Sequence, residues 1–320
     1  MKQAKQIPNI FLWTGALILG SGGLATIVGF FGNVYWVFDL FAHFREYYLL
    51  LFLFGFFIAS WYRLRLIALF SFIFFTINVI PWLSFYIPVK NIKPATSNKI
   101  TVYVANVQTK NTQYELVLKQ IQEIDPDIIV LSEVDPKWIE EIKELYVNYP
   151  YFLVPQFKKK DEIIVMSKYP IEKGNIVHLG ILGRASIVAS VRIETKLLTV
   201  IATHPLPPVN KRLASYRDNQ LVEIEKLVKE QKSPTILVGD LNITPFSYPY
   251  RSLIKNAALN NCAQGFGFKR TWQYNIFIFP IPLALDHCLY TKGIQVVESY
   301  VSKDIGSDHL PIINVIEMNE

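Results

Sequence analysis

Cysteine is nearly absent: the 320 residues hold two, Cys262 and Cys288. Two thiols are too few for a disulfide scaffold or a thiolate zinc site, although a pair in an exported domain can form a single disulfide. No internal repeat and no low-complexity tract occurs. Charge of either sign is missing from Ile10 through Gly32, and a helix needs about 20 such residues to cross the hydrocarbon core. Two further apolar runs follow, Tyr47 to Tyr62 and Leu66 to Val89. The second is short, roughly 16 residues, but Trp61, Tyr62 and Arg63 can anchor or snorkel at its end. The third carries Asn78 and Pro81, which a bundle tolerates when neighbours satisfy the freed polar groups. A cleavable signal peptide fits the first run poorly, because the run is too long, lacks a cleavage site and is followed by two more. Residues 1–90 therefore read as a transmembrane anchor with spans near 10–32, 47–62 and 66–89.

Basic residues set the expected orientation. Lys2 and Lys5 precede the first span, and Arg63 and Arg65 fill the tight loop between the second and third. Lys and Arg in short flanking loops stay in the cytoplasm, so three crossings put everything after Lys90 on the periplasmic or extracellular side. Lys90, Lys93 and Lys99 pull weakly the other way, but long domains translocate largely regardless of charge. A linker, residues 91–98 with Pro94, leads to residues 99–320, a comfortable size for one domain with a full core. The 51% hydrophobic content averages two unlike halves, and the net charge of +6 fits phosphate-bearing or anionic-membrane partners without demanding them.

The second half alternates strand-like and helical patterns. Ile100 to Val107 is rich in β-branched residues; Tyr114, Val117, Leu118, Ile121 and Ile124 recur at helical spacing; Asp127 to Val134 is again strand-like. Further strands are expected at 162–167, 185–193, 197–203, 235–240, 285–290, 295–301 and 310–316. A long helix is expected over 211–230, with Leu213, Tyr216, Leu221, Ile224, Leu227 and Val228 facing inward. Many strands with few helices between them imply two stacked sheets with helices outside, where a single doubly wound sheet wants a helix after nearly every strand.

Chemistry-bearing residues collect at the ends of these strands. Asn106 closes the first, Glu133 the second, His204 follows 197–203, and Asp240 and Asn242 follow 235–238. Asp286 opens a late strand, and Asp308 with His309 precedes the last. Acids, amides and imidazoles held rigidly around a shared cleft suit metal-assisted hydrolysis, for which a hard cation such as Mg²⁺ wants carboxylate and carbonyl oxygens. Glu133 and Asp308 are the ligand candidates on that reading. Taken singly, several of these have blander roles: Asp240 and Asn242 as turn formers, Asn106 as a strand cap, Arg184 as a solvated strand start, His204 as a surface residue. His43 and His178 lack such neighbours and read as surface or interfacial.

Seven landmarks in order, Ala105-Asn106-Val107, 127–133, Ser167-Lys168-Tyr169-Pro170, Thr203-His204-Pro205, Gly239-Asp240-Leu241-Asn242, Asp286-His287 and Ser307-Asp308-His309, resemble the endonuclease/exonuclease/phosphatase superfamily over residues 100–316. The resemblance implies an α/β fold, a four-layered α-β-β-α sandwich of deoxyribonuclease type, here preceded by an all-α segment of about three helices. It implies Mg²⁺ or Mn²⁺ held principally by Glu133, with Asp308 and Asn106 nearby. Asp240 would orient or activate water, and Asn242 would hold a phosphate oxygen. His309 would pair with Asp286 as base or phosphate stabiliser, and His204 would donate to a phosphate or leaving-group oxygen. Asn106, Asn242 and Arg184 are the substrate-binding candidates.

Gln108, where some relatives carry a second metal-binding carboxylate, favours one metal or a shifted second ion. Glu162 replaces a frequent glycine, and Leu241 a commoner phenylalanine. The expected activity is a membrane-anchored, metal-dependent phosphodiesterase, nuclease-like. The alternatives are a lipid-headgroup phosphodiesterase or phosphatase, and a catalytically silent binding or scaffold module. The apolar segment 276–283 reads as a core strand, or, as a loop, a lipid-contacting patch beside the site. The 158–160 lysine run reads as a solvated loop able to steer phosphate.

Overall fold

The structure, a computed structural model, describes residues 8–88, 99–155, 162–276 and 279–318. Its contacts divide the chain into two units: residues 1–87 with 244–251, and residues 88–243 with 252–320. The boundary lies close to the expected one, but the segment Thr244–Arg251 joins the N-terminal unit. The linker 91–98 and the 158–160 lysine run lie outside the described residues.

The first unit is built on α1 (Asn9–Val28), α2 (Trp36–Ala42), α3 (Arg45–Trp61) and α4 (Arg65–Leu83). Two helical stretches, Asn9–Phe31 and Arg65–Tyr86, are long and apolar enough to cross a membrane; α2 and α3, bent by 54° at their break, make a third if counted together. Leu19, Phe52 and Phe74 form the buried contact among α1, α3 and α4. Asn78 is buried in α4, where its amide donates to Thr26 Oγ1 at 3.1 Å and to the Phe74 carbonyl at 2.8 Å. An amide donor that would be costly on a lipid-facing surface is thereby paired inside the bundle.

The second unit begins with β1 (Ile100–Asn106), α5 (Tyr114–Ile124), β2 (Ile128–Val134), α6 (Pro136–Glu141), β3 (Tyr151–Leu153) and β4 (Glu162–Ser167). It continues with β5 (Ile171–Leu179), β6 (Arg184–Ile193), β7 (Lys196–Ala202), α7 (Lys211–Lys229) and β8 (Thr235–Asp240). The last elements are α8 (Tyr248–Asn256), which starts in the first unit, then β9 (Asn260–Asn261), β10 (Trp272–Ile276), β11 (Phe279–Leu283), β12 (Asp286–Tyr290), β13 (Ile294–Val301) and β14 (Ile312–Met318). One six-stranded sheet runs β13-β14-β1-β2-β4-β3 and the other β5-β6-β7-β8-β12-β9.

Period-two patterning stacks these sheets. Ile100, Val102 and Val104 of β1 point inward and meet Ile187, Val200, Ile236 and Val238 of the other sheet. Tyr103 and Ala105 point the opposite way, onto Val117, Leu118 and Ile121 of α5 and Trp138 of α6. Each fully buried aliphatic side chain contributes about 1.5–3 kcal/mol. Helix α7 lies over the second sheet, where Gln220 donates to Thr203 Oγ1 at 3.3 Å. Its buried stripe is Ala214, Arg217, Gln220, Leu221, Ile224 and Val228. Leu213, Tyr216 and Leu227 are only half-buried, because Arg217 and Gln220 use their side chains to reach the site end of the sheet. The segment around 276–283 is not a strand of either large sheet: β10 and β11 form their own hairpin, with residues 277–278 outside the described set.

Each sheet contains one parallel pair, β1 with β2 and β7 with β8. Each pair is joined by a crossover helix, α5 in the first case and α7 in the second. Parallel β-α-β units present polar groups at the carboxyl ends of their strands, and both sheets do so here.

Candidate active site

Four carboxyl ends supply the centre of the site: Asn106 ends β1, Glu133 lies in the last turn of β2, His204 follows β7, and Asp240 ends β8. Strand β12 runs antiparallel to β8 in a register that sets Asp286 opposite Asp240. His309 arrives from the loop before β14. That loop is fixed by Ser307, whose hydroxyl donates to the Asn106 carbonyl at 2.7 Å and accepts from the His309 amide at 3.1 Å.

Asp240 Oδ2 is the hub. It accepts from Asn106 Nδ2 at 3.1 Å and lies 3.5 Å from His204 Nε2 and 3.6 Å from His309 Nε2. Its other oxygen accepts from the Asn242 amide at 2.8 Å. Glu133 Oε1 accepts from Asn106 Nδ2 at 2.9 Å and stands 3.9 Å from His204 Nε2. Asn106 thus presents its NH₂ group to both acids and links them, while its oxygen accepts from the Gln108 amide at 3.0 Å. His309 Nδ1–H donates to Asp286 Oδ2 at 2.7 Å. The backbone that carries Asp286 is held by Thr271, whose hydroxyl accepts the Leu285 and Asp286 amides at 3.2 and 3.0 Å.

Backbone strain concentrates here. Glu133 and Asn242 adopt left-handed φ values of 59° and 52°, and a register irregularity between Ser132 and Val134 turns Glu133 out of the sheet. Such conformations cost about 1–3 kcal/mol each and persist only where surroundings enforce them. For Glu133 the enforcement comes from Thr109, whose hydroxyl donates to the Glu133 carbonyl at 2.8 Å. For Asn242 it comes from Pro205, whose carbonyl accepts the side-chain amide at 2.9 Å, and from buried Arg217, whose Nη1 donates to the Asn242 carbonyl at 3.4 Å.

Charge follows from this packing. Burial disfavours the Asp240 carboxylate, yet the His309 and His204 imidazoles outweigh it and hold the acid down to about 2. Burial likewise disfavours the His309 imidazolium, but Asp286 and Asp240 outweigh it and push the ring up to about 10. The two carboxylates therefore favour the protonated ring. His287 differs: burial pulls it down, and its Nε2–H donates to the Ile243 carbonyl at 2.7 Å. It is a structural ring behind the Asp240 loop.

Seven expected residues, Asn106, Glu133, His204, Asp240, Asn242, Asp286 and His309, meet at one place. Arg184 sits at the rim, its Nε donating to the His204 carbonyl at 3.1 Å. Asp308 is exposed, with Oδ2 accepting from Trp272 Nε1 at 3.0 Å. Thr109, Arg217, Thr271 and Trp272 are the participants that spacing alone did not assign, although Thr271 and Trp272 stand a few residues before the apolar segment 276–283. His43, expected at the surface or an interface, is buried in the first unit against Thr244.

The donor set suits a hard divalent cation. Glu133, Asp240 and Asp286 offer carboxylate oxygens, and Asp240, Asp286 and His309 each place a ligand atom within 4.8 Å of the others. Asp286 Oδ1 is buried with no hydrogen-bond partner among the described residues, an orphan that a cation would satisfy.

Two stacked sheets with acids, amides and imidazoles gathered at shared strand ends define an α/β sandwich with one polar site at those ends. The endonuclease/exonuclease/phosphatase family model matches residues 103–309, and the chain belongs to that family. No curated protein matches the chain by sequence. Solved structures share the fold. D. rerio TDP2, complexed with a single-strand DNA product, is 17% identical with a TM-score of 0.58, over 69% of this chain and 100% of that one. The human Nocturnin catalytic domain with a bound sulfate is 16% identical with a TM-score of 0.57, over 71% and 97%. An endonuclease/exonuclease/phosphatase from Beutenbergia cavernae is 20% identical with a TM-score of 0.56, over 69% and 72%.

Proposed function

We propose that this chain is a membrane-anchored, Mg²⁺- or Mn²⁺-dependent phosphodiesterase whose catalytic half lies outside the cytoplasm. The observation that carries the reading is the convergence of Asn106, His204, His309 and Asn242 on one buried carboxylate, Asp240. Glu133 would be the principal metal ligand, helped by Asp240 or Asp286, and the cation would acidify a bound water and neutralise charge developing on phosphorus. Asp240, favoured in its ionised form by the two imidazoles, orients the attacking water. His309, whose proton Asp286 favours, directs its Nε2–H at a non-bridging or leaving oxygen, and His204 supplies a second imidazole beside Asp240. Gaps of 3.5–3.6 Å between Asp240 and the two imidazoles are too long for good hydrogen bonds. They suit a site completed by substrate.

Three crossings are supported by parity. Asp39 in α2 accepts from Ser247 and Tyr248, which supports putting residues between the first and second apolar helices on the same side as residues after the third. Two crossings would separate them by a bilayer. The Cys262–Cys288 disulfide, Cα atoms 5.4 Å apart, agrees with an oxidising compartment. The similar D. rerio TDP2 holds a single-strand DNA product, which favours a phosphodiester substrate.

A second reading, lipid-headgroup hydrolysis, is favoured by exposed apolar loops near the rim. Ile181 and Leu182 precede Arg184, and Val209 follows His204 by five residues; they are 62%, 44% and 72% exposed. Such side chains are suited to a lipid surface.

The deciding experiment assays the full-length protein in detergent with Mg²⁺, Mn²⁺ or chelator against DNA, RNA, phospholipid vesicles and inositol phosphates, with His309→Ala as control. Metal-dependent turnover of nucleic acid that is lost in the control is the expected result. Turnover confined to vesicles selects the second reading. A folded, metal-binding protein that turns over none of them overturns both in favour of a scaffold module.

A further inference from the structure

The segment directly downstream of Asn242 is held by the N-terminal helices through polar contacts that a hydrophobic anchor does not require. Asp39, in α2, is buried; its Oδ2 accepts from the Ser247 hydroxyl at 2.9 Å and its Oδ1 from the Tyr248 amide at 2.7 Å. One helical turn later, His43 Nδ1 accepts from the Thr244 amide at 3.3 Å and lies 2.9 Å from the Thr244 hydroxyl. Thr244, Phe246 and Ser247 are all buried, and Phe246 meets Phe85 edge-on with ring centroids 6.4 Å apart. Asp39 also stands where α8 begins, so its negative charge satisfies an orphan amide and faces the positive end of that helix.

The other end of the same stretch is pinned as firmly. The Leu241 amide donates to the Leu285 carbonyl at 3.0 Å, the Asn242 amide to Asp240, and the Ile243 carbonyl accepts from His287. Thr244 is separated from Asn242 by a single residue, and each residue spans at most about 3.6 Å. A chain tethered this closely at both ends has almost no slack between the His43 contact and the Asp240–Asn242 turn. Burying a carboxylate is unfavourable unless donors compensate it, so the Asp39 contacts specify one position of the segment.

We propose that Asp39 and His43 are positioning residues: they fix residues 244–248, and through the chain itself the Asp240–Asn242 turn that directly precedes them. This rests on the phosphoesterase reading of the site. Misplacing a catalytic group by about 1 Å costs on the order of 10²-fold in rate, whereas substrate affinity set by other residues is little changed. The clamp therefore acts on kcat.

The test compares full-length wild type, Asp39→Ala, His43→Ala, His43→Asn and Ser247→Ala with Asn78→Ala in lipid nanodiscs. Asn78→Ala is a control that loosens the helical bundle away from the clamp. Expected are a fall in kcat of about 10-fold or more for Asp39→Ala and His43→Ala, with KM within about twofold. His43→Asn, which keeps an acceptor near the Nδ1 position, restores most of the loss. Ser247→Ala, which removes one hydrogen bond and folds if Asp39→Ala does not, shows a smaller fall in the same direction. Clamp variants that are folded and keep kcat within about twofold of wild type, or that lose no more than Asn78→Ala at equal thermal destabilisation, overturn the proposal. If wild type hydrolyses none of the substrates above, the phosphoesterase reading has failed and hydrogen exchange decides the clamp. Faster exchange in the peptide spanning residues 240–243 of His43→Ala but not of Asn78→Ala supports it; unchanged exchange there overturns it.

Discussion

Asp286 and His309 make one of the short polar contacts in the site, and it favours a proton on the ring. With Asp286 at 2.7 Å and Asp240 at 3.6 Å, His309 holds that proton up to about 10. Asp286→Asn keeps the shape and removes the charge, so the ring's titration should move down toward the ordinary imidazole range, read by histidine NMR in metal-free protein. Turnover should drop on the order of 10²- to 10⁴-fold, the range for general acid–base groups; a change of less than about threefold would remove His309 from the chemistry. The sign of the pH dependence of stability follows from the same shifts. His309 is raised in the folded state, so its contribution is complete below the ordinary value of 6.5 and disappears as pH rises through about 10. Asp240 is lowered, so its contribution is complete above 3.8 and lost as pH falls through about 2. Chelated protein should accordingly show its highest unfolding midpoint between about pH 4 and 6.5 and decline toward alkaline pH, with His309→Gln flattening the alkaline limb.

At the scale of elements, the close approach of β7 and β8 sets the distance between His204 and Asp240. Gly239 has φ +133°, and a Cβ added there would come within 2.1 Å of the Thr203 carbonyl oxygen. Gly239→Ala combines backbone strain with overpacking, terms of about 1–3 kcal/mol each, and should lower stability by roughly 2–4 kcal/mol in chemical denaturation. An unchanged midpoint would mean that the strands can separate. Behind Asp286, strand β12 is tied to the β9 region by the Cys262–Cys288 disulfide across 26 residues. Loop-closure entropy for that length is about 3.5 kcal/mol, so Cys288→Ser should lower the unfolding free energy by a comparable amount. Protein made in a reducing compartment should behave like the variant.

For the whole molecule, the crossing number is the quantity to measure. Reporter cysteines near Lys5 and Arg63, in a Cys262→Ser/Cys288→Ser background, should be labelled only from the cytoplasmic side, and one at Lys292 or the C-terminus only from outside. Labelling of Arg63 and Lys292 from the same face would reverse the three-span reading and with it the assignment of the catalytic half to an extracytoplasmic space.

Much of this protein was legible before folding. Residues 162–167 and 235–240 match β4 and β8, and Tyr114–Ile124 matches α5, because alternation and helical spacing are local properties that burial enforces. The acids, amides and imidazoles were legible too, since strand-end motifs in order specify chemistry. Short elements escaped: β3 has three residues, β9 two, and β5 carries little alternation. The left-handed Glu133 and Asn242, the turning of Asp308 to Trp272, and the insertion of Arg217 behind Asn242 were not readable either. These depend on partners distant in sequence, as does the hold of Asp39 and His43 on residues 244–248, separated by about 200 residues. Sequence by itself determined the apolar helices, the strand order's raw material and which polar residues stand at the strand ends. Only the tertiary structure decided which carboxylate is the hub, which imidazole meets Asp286 and which segment Asp39 and His43 hold, because each is set by hydrogen-bond distances between segments that the chain brings together only when it packs.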